Sequence, residues 1–144
     1  IRYLRDAVRT RPSSEGGNHS LWILGHIVRS ESDLLDGFIF GKPNRYPEYE
    51  KLFGMGSTPS TDASQYPSMD ELLGKFQEIR AASLAHLETL TDDDLDKPSH
   101  APEEFGASFG TIGAVFAAMS THVAFHAGQV ADARRAAGRP PLMA

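Results

Sequence analysis

Apolar residues return at helical spacing in four stretches of the chain. From Ile1 to about Val8, residues Ile1, Leu4 and Val8 share one face, which predicts the last turns of a helix. The stretch Arg11-Pro12-Ser13-Ser14-Glu15-Gly16-Gly17 ends it in a loop. Asn18 or Ser20 can then cap a second helix running from about Leu21 to Phe38. On that helix Trp22, Ile23, His26, Ser30 and Asp33 share a side, while Arg29, Ser32 and Asp36 are expected to face water. Glu31 falls on the Leu24, Val28 and Leu35 stripe, where a carboxylate needs either an interface or an arginine partner. A third helix opens at Ser68 with the pattern of a capping box, serine followed by Glu71. Its core stripe is Leu72, Phe76, Ile79, Ser83, Leu87 and Leu90, after which Thr91-Asp92-Asp93-Asp94 closes the helix or begins a short capped turn. The fourth stretch starts at Ser108 or Thr111 and runs without proline from Ile112 to about Ala137. Gly138 and the Pro140-Pro141 pair stop it.

Between the second and third helices, from Phe40 to Pro67, the periodicity disappears. Glycines and prolines punctuate this stretch, with Tyr46, Tyr49 and Phe53 among them. So long a connection marks a functional loop or an architectural crossover, and here it is expected to shape a pocket. The segment from Lys97 to Gly110 reads as a second loop. Four amphipathic helices with no strand signal predict an all-α protein, a four-helix bundle in one domain over residues 1–144. The chain opens at Ile1 without an initiator methionine, so its first helix is read as truncated.

Composition narrows the partners. The 144 residues carry 19 acidic against 14 basic side chains, a net charge of −5, with no lysine- or arginine-rich block. A phosphate-tracking surface is not expected, and so no nucleic-acid partner. The arginines Arg134, Arg135 and Arg139 cluster at the end of the last helix, where its dipole already favours them; anion binding is the other reading. There is no cysteine, which excludes disulfides, thiolate metal sites and a cysteine nucleophile. No apolar run reaches the length of a membrane span and no signal-peptide pattern is visible, so no membrane partner and a cytoplasmic location are expected.

The candidate chemistry lies in the last helix. His122 and His126 sit at i and i+4, about 40° apart and one turn removed, so both imidazoles can converge on one point. Such a pair alone is more often a pair of packing histidines, because the pattern is short and frequent by chance. The bundle changes the balance, because it brings facing helices together and adds His26 from the inward side of the second helix. Three imidazoles with an open fourth position describe a catalytic zinc site better than a structural one.

The pattern Gly17-Asn18-His19-Ser20-Leu21-Trp22-Ile23-Leu24-Gly25-His26 resembles the second-helix signature of the DinB/YfiT-like superfamily of metalloenzymes. His122-Val123-Ala124-Phe125-His126-Ala127-Gly128-Gln129, with Arg134-Arg135 and Gly138 beyond, is similar to that family's last helix. The long second connection and the Tyr66-Pro67-Ser68 start of the third helix also fit, so the resemblance covers nearly the whole chain. It implies a four-helix bundle of unusual handedness, often dimeric, holding a divalent metal, zinc or nickel, on His26, His122 and His126. The family's first helix is normally long; here only its end is present.

Other polar residues take lesser places. Gln129 can hydrogen-bond a ligand histidine or a bound water, or bridge to another helix. Asp33 lies about 10 Å along the axis from His26, too far to share the ion. His86 flanks the third helix and is either a boundary residue or a fourth ligand. His19 and His100 read as loop histidines, His19 being a candidate for proton transfer at the mouth of the site.

The resemblance implies a thiol-dependent S-transferase using a low-molecular-weight thiol cosubstrate on a small electrophile. A metal-dependent hydrolase and a non-catalytic metal-binding stress protein are the alternatives. The small apolar residues Ala114, Ala117, Ala118, Ala124, Ala127, Gly128 and Ala131 of the last helix also predict a homodimer.

Overall fold

The computed structural model describes residues 17–140, and the helix end expected at Ile1–Val8 lies outside them. The described residues are helical and loop, with no strand and only an isolated bridge between Pro98 and Thr111. The three long helices are α1 (Ser20–Ser32), α3 (Met69–Leu87) and α6 (Ile112–Ala136). The short ones are α2 (Glu50–Phe53), α4 (Asp92–Leu95) and α5 (Gly106–Phe109).

Helix α1 is central, since α2, α3 and α6 all pack on it. Nearly every one of its residues is buried. Its cap is neither Asn18 nor Ser20. His19 Nδ1 accepts from the Trp22 amide at 3.1 Å, standing as many bonds from Cα as an asparagine oxygen would. His19 Nε2 then donates to the Ser60 carbonyl at 2.7 Å, and the residue is 1% exposed. It is therefore a structural cap, and the expected place at the mouth of the site is corrected.

Beyond Ser32 the helix widens into a π-wound segment, Asp33–Ile39, in which the Phe40 amide reaches back to the Leu35 carbonyl at 3.1 Å. Gly41, at φ 63°, ends it in a left-handed turn one residue wider than a Schellman turn, as the π winding dictates: the amides of Gly41 and Lys42 return to the carbonyls of Gly37 and Asp36.

Ser32 and Asp36 were expected in water, and both are buried. They follow Val28 at successive intervals of four and so continue its inward stripe. Ser32 Oγ donates to Asp36 at 2.7 Å, and Arg45 grips the carboxylate through Nε and Nη2 at 2.7 and 2.6 Å. Burial pushes the Asp36 carboxyl up, but the hydrogen bonds from Arg45 and Ser32 outweigh it and hold it below the ordinary carboxylate range. A depressed folded-state pKa means stability that is fully present above the unfolded value and lost as pH falls from there through the folded-state pKa. Arg45→Ala is expected to cost about 2 kcal/mol at neutral pH, because it leaves a buried carboxylate short of its partner. Urea unfolding at pH 7 and pH 3 checks this: the gap to the parent protein should narrow at the acid end.

Glu31 has the arginine partner. It lies 2.8 Å from Arg80 and accepts from Ser83 Oγ at 2.8 Å, tying α1 to α3. Burial nevertheless leaves its carboxyl above the usual value. At the start of α3 the Ser68 hydroxyl caps the Glu71 amide at 3.1 Å, but the Glu71 carboxylate accepts from Tyr49 instead of closing the box. The reciprocal capping box is found at Thr91 and Asp94, which open α4. The connection from 40 to 68 folds inward: Tyr46, Tyr49 and Phe53 are 4%, 3% and 0% exposed. These aromatics build core and not the wall of a pocket. Thr111 caps α6 through a 3.2 Å bond from the Ala114 amide. Near its far end Arg134 is buried and donates to the Pro140 carbonyl, while Arg135 and Arg139 are exposed. No helix among the described residues is long and apolar enough to cross a membrane.

Candidate metal centre

Helices α1 and α6 bring His26, His122 and His126 together, with one ligand-capable atom of each within 4.8 Å of the others. His122 Nε2 lies 3.2 Å from His26 Nε2 and 3.0 Å from His126 Nε2. The partners of the other ring nitrogens decide what these atoms are. His26 Nδ1 is 2.8 Å from the Phe53 carbonyl, an acceptor only, so Nδ1 carries the proton and Nε2 a lone pair. His126 Nδ1 is 2.9 Å from Gln129 Oε1, and with the amide oxygen facing the ring it too carries the proton and leaves Nε2 a lone pair. A proton on His122 Nε2 can satisfy one of these two lone pairs, not both. The donor set therefore fits a cation held by three nitrogens.

The electrostatics agree. Burial lowers the pKa of His26 and His126, against the hydrogen bonds they donate to Phe53 and Gln129, which raise them. Burial, followed by the neighbouring His126 and His26, pushes His122 down to about 4. All three rings are neutral at physiological pH, the state a metal requires.

The support around His26 comes from α2 and its flanks. The Trp22 indole stacks on the His26 ring, centroids 4.7 Å apart and 9° from parallel. Trp22 Nε1 donates to the Leu52 carbonyl at 3.0 Å and to Ser57 Oγ at 3.1 Å. Indole and imidazole are thus pinned by one short stretch of the long connection.

A cleft of 560 Å³ opens beside the histidines, with His26 and His122 in its wall. Polar flanks come from Arg29, Asp33 and Asn44, and an apolar end from Phe38, Phe105 and Phe109. Arg29 is held by Asp33 at 2.6 Å and by Glu50, and Asn44 donates to Asp33 at 2.7 Å. Asp33 is therefore neither a ligand nor a free base.

His86 and His100 lie apart from this group. His86 packs its ring on Phe40 at 4.7 Å, and His100 is exposed on the second loop.

The sequence profile of the DinB superfamily matches residues 2–130. The chain belongs to the DinB superfamily. No curated protein matches it significantly.

Several parts of this DinB-superfamily site escape a reading of side-chain patterns. The Phe53 carbonyl is a backbone group 27 residues from His26. Phe105 and Phe109 stand in the loop stretch, where aromatic residues suggest no partner. Their one signal was their number: two phenylalanines within a short loop need a surface to cover. Gln129 is better placed, one turn beyond His126. Gln129→Leu keeps the helix but removes the acceptor that orients the ring. It is expected to weaken metal affinity by about ten- to a hundredfold with little change in thermal stability, measured by competition against a chromogenic chelator.

Proposed function

We propose that this chain is a metal-dependent enzyme in which His26, His122 and His126 hold one zinc or nickel ion, with Gln129 orienting His126. The observation that carries this reading is the convergence of three Nε2 atoms, two of them fixed as lone pairs, at the wall of a cleft. An ion bound by three neutral ligands keeps its full charge and lets a thiol or water in the open position lose its proton near neutral pH. The chain's own residues orient the three rings, keep them neutral and shape the space for the reactants.

The reaction we favour is transfer of a low-molecular-weight thiol to a small electrophile. The protein has no cysteine, so a thiol must come as cosubstrate. A hydrolase would gain from a free carboxylate to deprotonate the bound water, and both carboxylates of the cleft, Asp33 and Glu50, are engaged by Arg29. The long helices α1, α3 and α6 are taken as three of the four in the family's bundle, working in the cytoplasm. A homodimer is supported by the outer face of α6, where Phe125 is 63% exposed among Ala117, Ala124, Ala127 and Gly128. Light scattering should give twice the 15.7 kDa of one chain.

The deciding assay gives the metal-loaded protein an electrophilic acceptor with and without several cellular thiols. Conjugation that needs both thiol and metal is expected. Ester or amide turnover without thiol points to a hydrolase instead, and silence in both with metal bound points to a non-catalytic role.

A further inference from the structure

The cleft has a direction. Along α1 and the π-wound segment after it the cleft runs from His26 past Arg29 and Asp33 to Phe38, and along α6 it runs the opposite way, from His122 past Ala118 towards Phe109 of α5. By helix rise its two ends stand roughly 15–18 Å apart. The far end is a cup of three rings: Phe38 lies 5.3 Å from Phe109 and 6.2 Å from Phe105, and Phe105 lies 6.3 Å from Phe109. Apolar side chains stand open to solvent at this cleft, Phe105 at 38% and Met55 at 84% exposure, and both line it. Apolar surface left open inside a concavity is surface that a ligand covers. Ala118 is small, and its place one turn from His122 keeps the passage between the two ends open.

Resting on the metal-site reading for its reactive end, we propose that the substrate is an elongated molecule. Its reactive group meets the three histidines, and its aryl or branched-alkyl tail is seated in the cup of Phe38, Phe105 and Phe109. A compact electrophile held at the histidines leaves the cup of Phe38, Phe105 and Phe109 uncovered. The tail supplies binding energy remote from the reacting atom, which aligns that atom against the histidines.

The test uses ω-phenylalkyl hydroxamates with two to eight methylenes, compared with acetohydroxamate, on zinc-loaded protein. Binding is followed by the fluorescence of Trp22, the single tryptophan, and by the ¹³C methyl signal of Met55. Affinity should climb about fourfold per methylene and level off once the ring reaches the cup. Ala118→Phe and Phe105→Ala should each reduce the ratio of long-tailed to acetohydroxamate affinity at least tenfold, with folding checked by circular dichroism. Affinity independent of tail length, or a ratio unchanged in both variants, overturns the proposal. If zinc and acetohydroxamate do not bind at all, the metal reading fails by itself. The cup is then tested by ω-phenylalkanols on metal-free protein: a shift of the Met55 methyl supports it, and none overturns it.

Discussion

His122→Ala is expected to leave the purified protein without metal. The parent protein should carry about one divalent ion per chain, and the variant's affinity should fall on the order of a hundredfold or more. His122 is the residue to remove because its Nε2 is the atom within 3.2 Å of both other ring nitrogens. Without it, His26 and His126 remain as two ligands from different helices, which no longer enclose an ion. The same change should be nearly neutral for the metal-free fold. His122 is half-buried, and alanine is the better helix former by about half a kilocalorie per mole. The two proteins should therefore melt alike in chelator and separate when zinc is added. An ion present at a thousand times its Kd stabilises the folded state by about 4 kcal/mol. Nickel titration offers a second readout, since Trp22 stacks on His26 and its emission should be quenched in the parent protein only. A parent protein that binds neither ion, or a variant that binds as tightly, would sink the metal reading.

What could be read in advance was local. The i, i+4 histidine pair, the Ser68 cap and the apolar stripes of α1 and of the first turns of α3 are each written within a few turns of one helix, and helical periodicity exposes them; Leu87, placed on the α3 stripe, is 37% exposed. His26 could be added because facing helices of a bundle must bring inward residues together. The errors arose where distant segments decide. Ser32 and Asp36 look like surface residues until Arg45 arrives from the following connection, its guanidinium pairing with Asp36 and its amide donating to Ser32 Oγ. Tyr46 and Tyr49 stand in a stretch without periodicity, and nothing local says that it folds back into the core. Glu71 keeps its capping partner's hydroxyl but gives its own carboxylate to Tyr49, a tertiary contact overriding a local motif. The tautomer of His26 depends on a backbone carbonyl, and no side-chain pattern encodes the position of a carbonyl.

Gly25→Ala tests whether that carbonyl matters. Gly25 lies inside α1, where replacing glycine by alanine ordinarily stabilises a helix by about 1 kcal/mol. Here the added Cβ would fall 2.3 Å from Cε1 and Cζ of Phe53 and 2.6 Å from its Cδ1. Phe53 is 0% exposed and packed against Tyr49 and Tyr66, so its ring has nowhere to withdraw. Overpacking of this kind outweighs the propensity gain, and a net loss of about 2–3 kcal/mol is expected. The contrast is Gly74→Ala on α3, where an added Cβ meets nothing within 4 Å; that variant should gain up to about 1 kcal/mol. The effect at Gly25 should also reach the metal centre. Because the ring cannot turn aside, relief of the clash shifts the backbone of α2 away from α1 and takes the Phe53 carbonyl from His26 Nδ1, at 2.8 Å the contact that fixes the ring. Metal affinity should then drop about ten- to a hundredfold, as when other supports of a ligand histidine are removed. The double variant Gly25→Ala with Phe53→Leu separates the two effects. A smaller side chain frees the space, so part of both stability and affinity should return. Urea unfolding and chelator competition on the three variants are sufficient. Gly25→Ala with undiminished stability and unchanged metal affinity would show that the packing of α2 on α1 does not hold His26 in place.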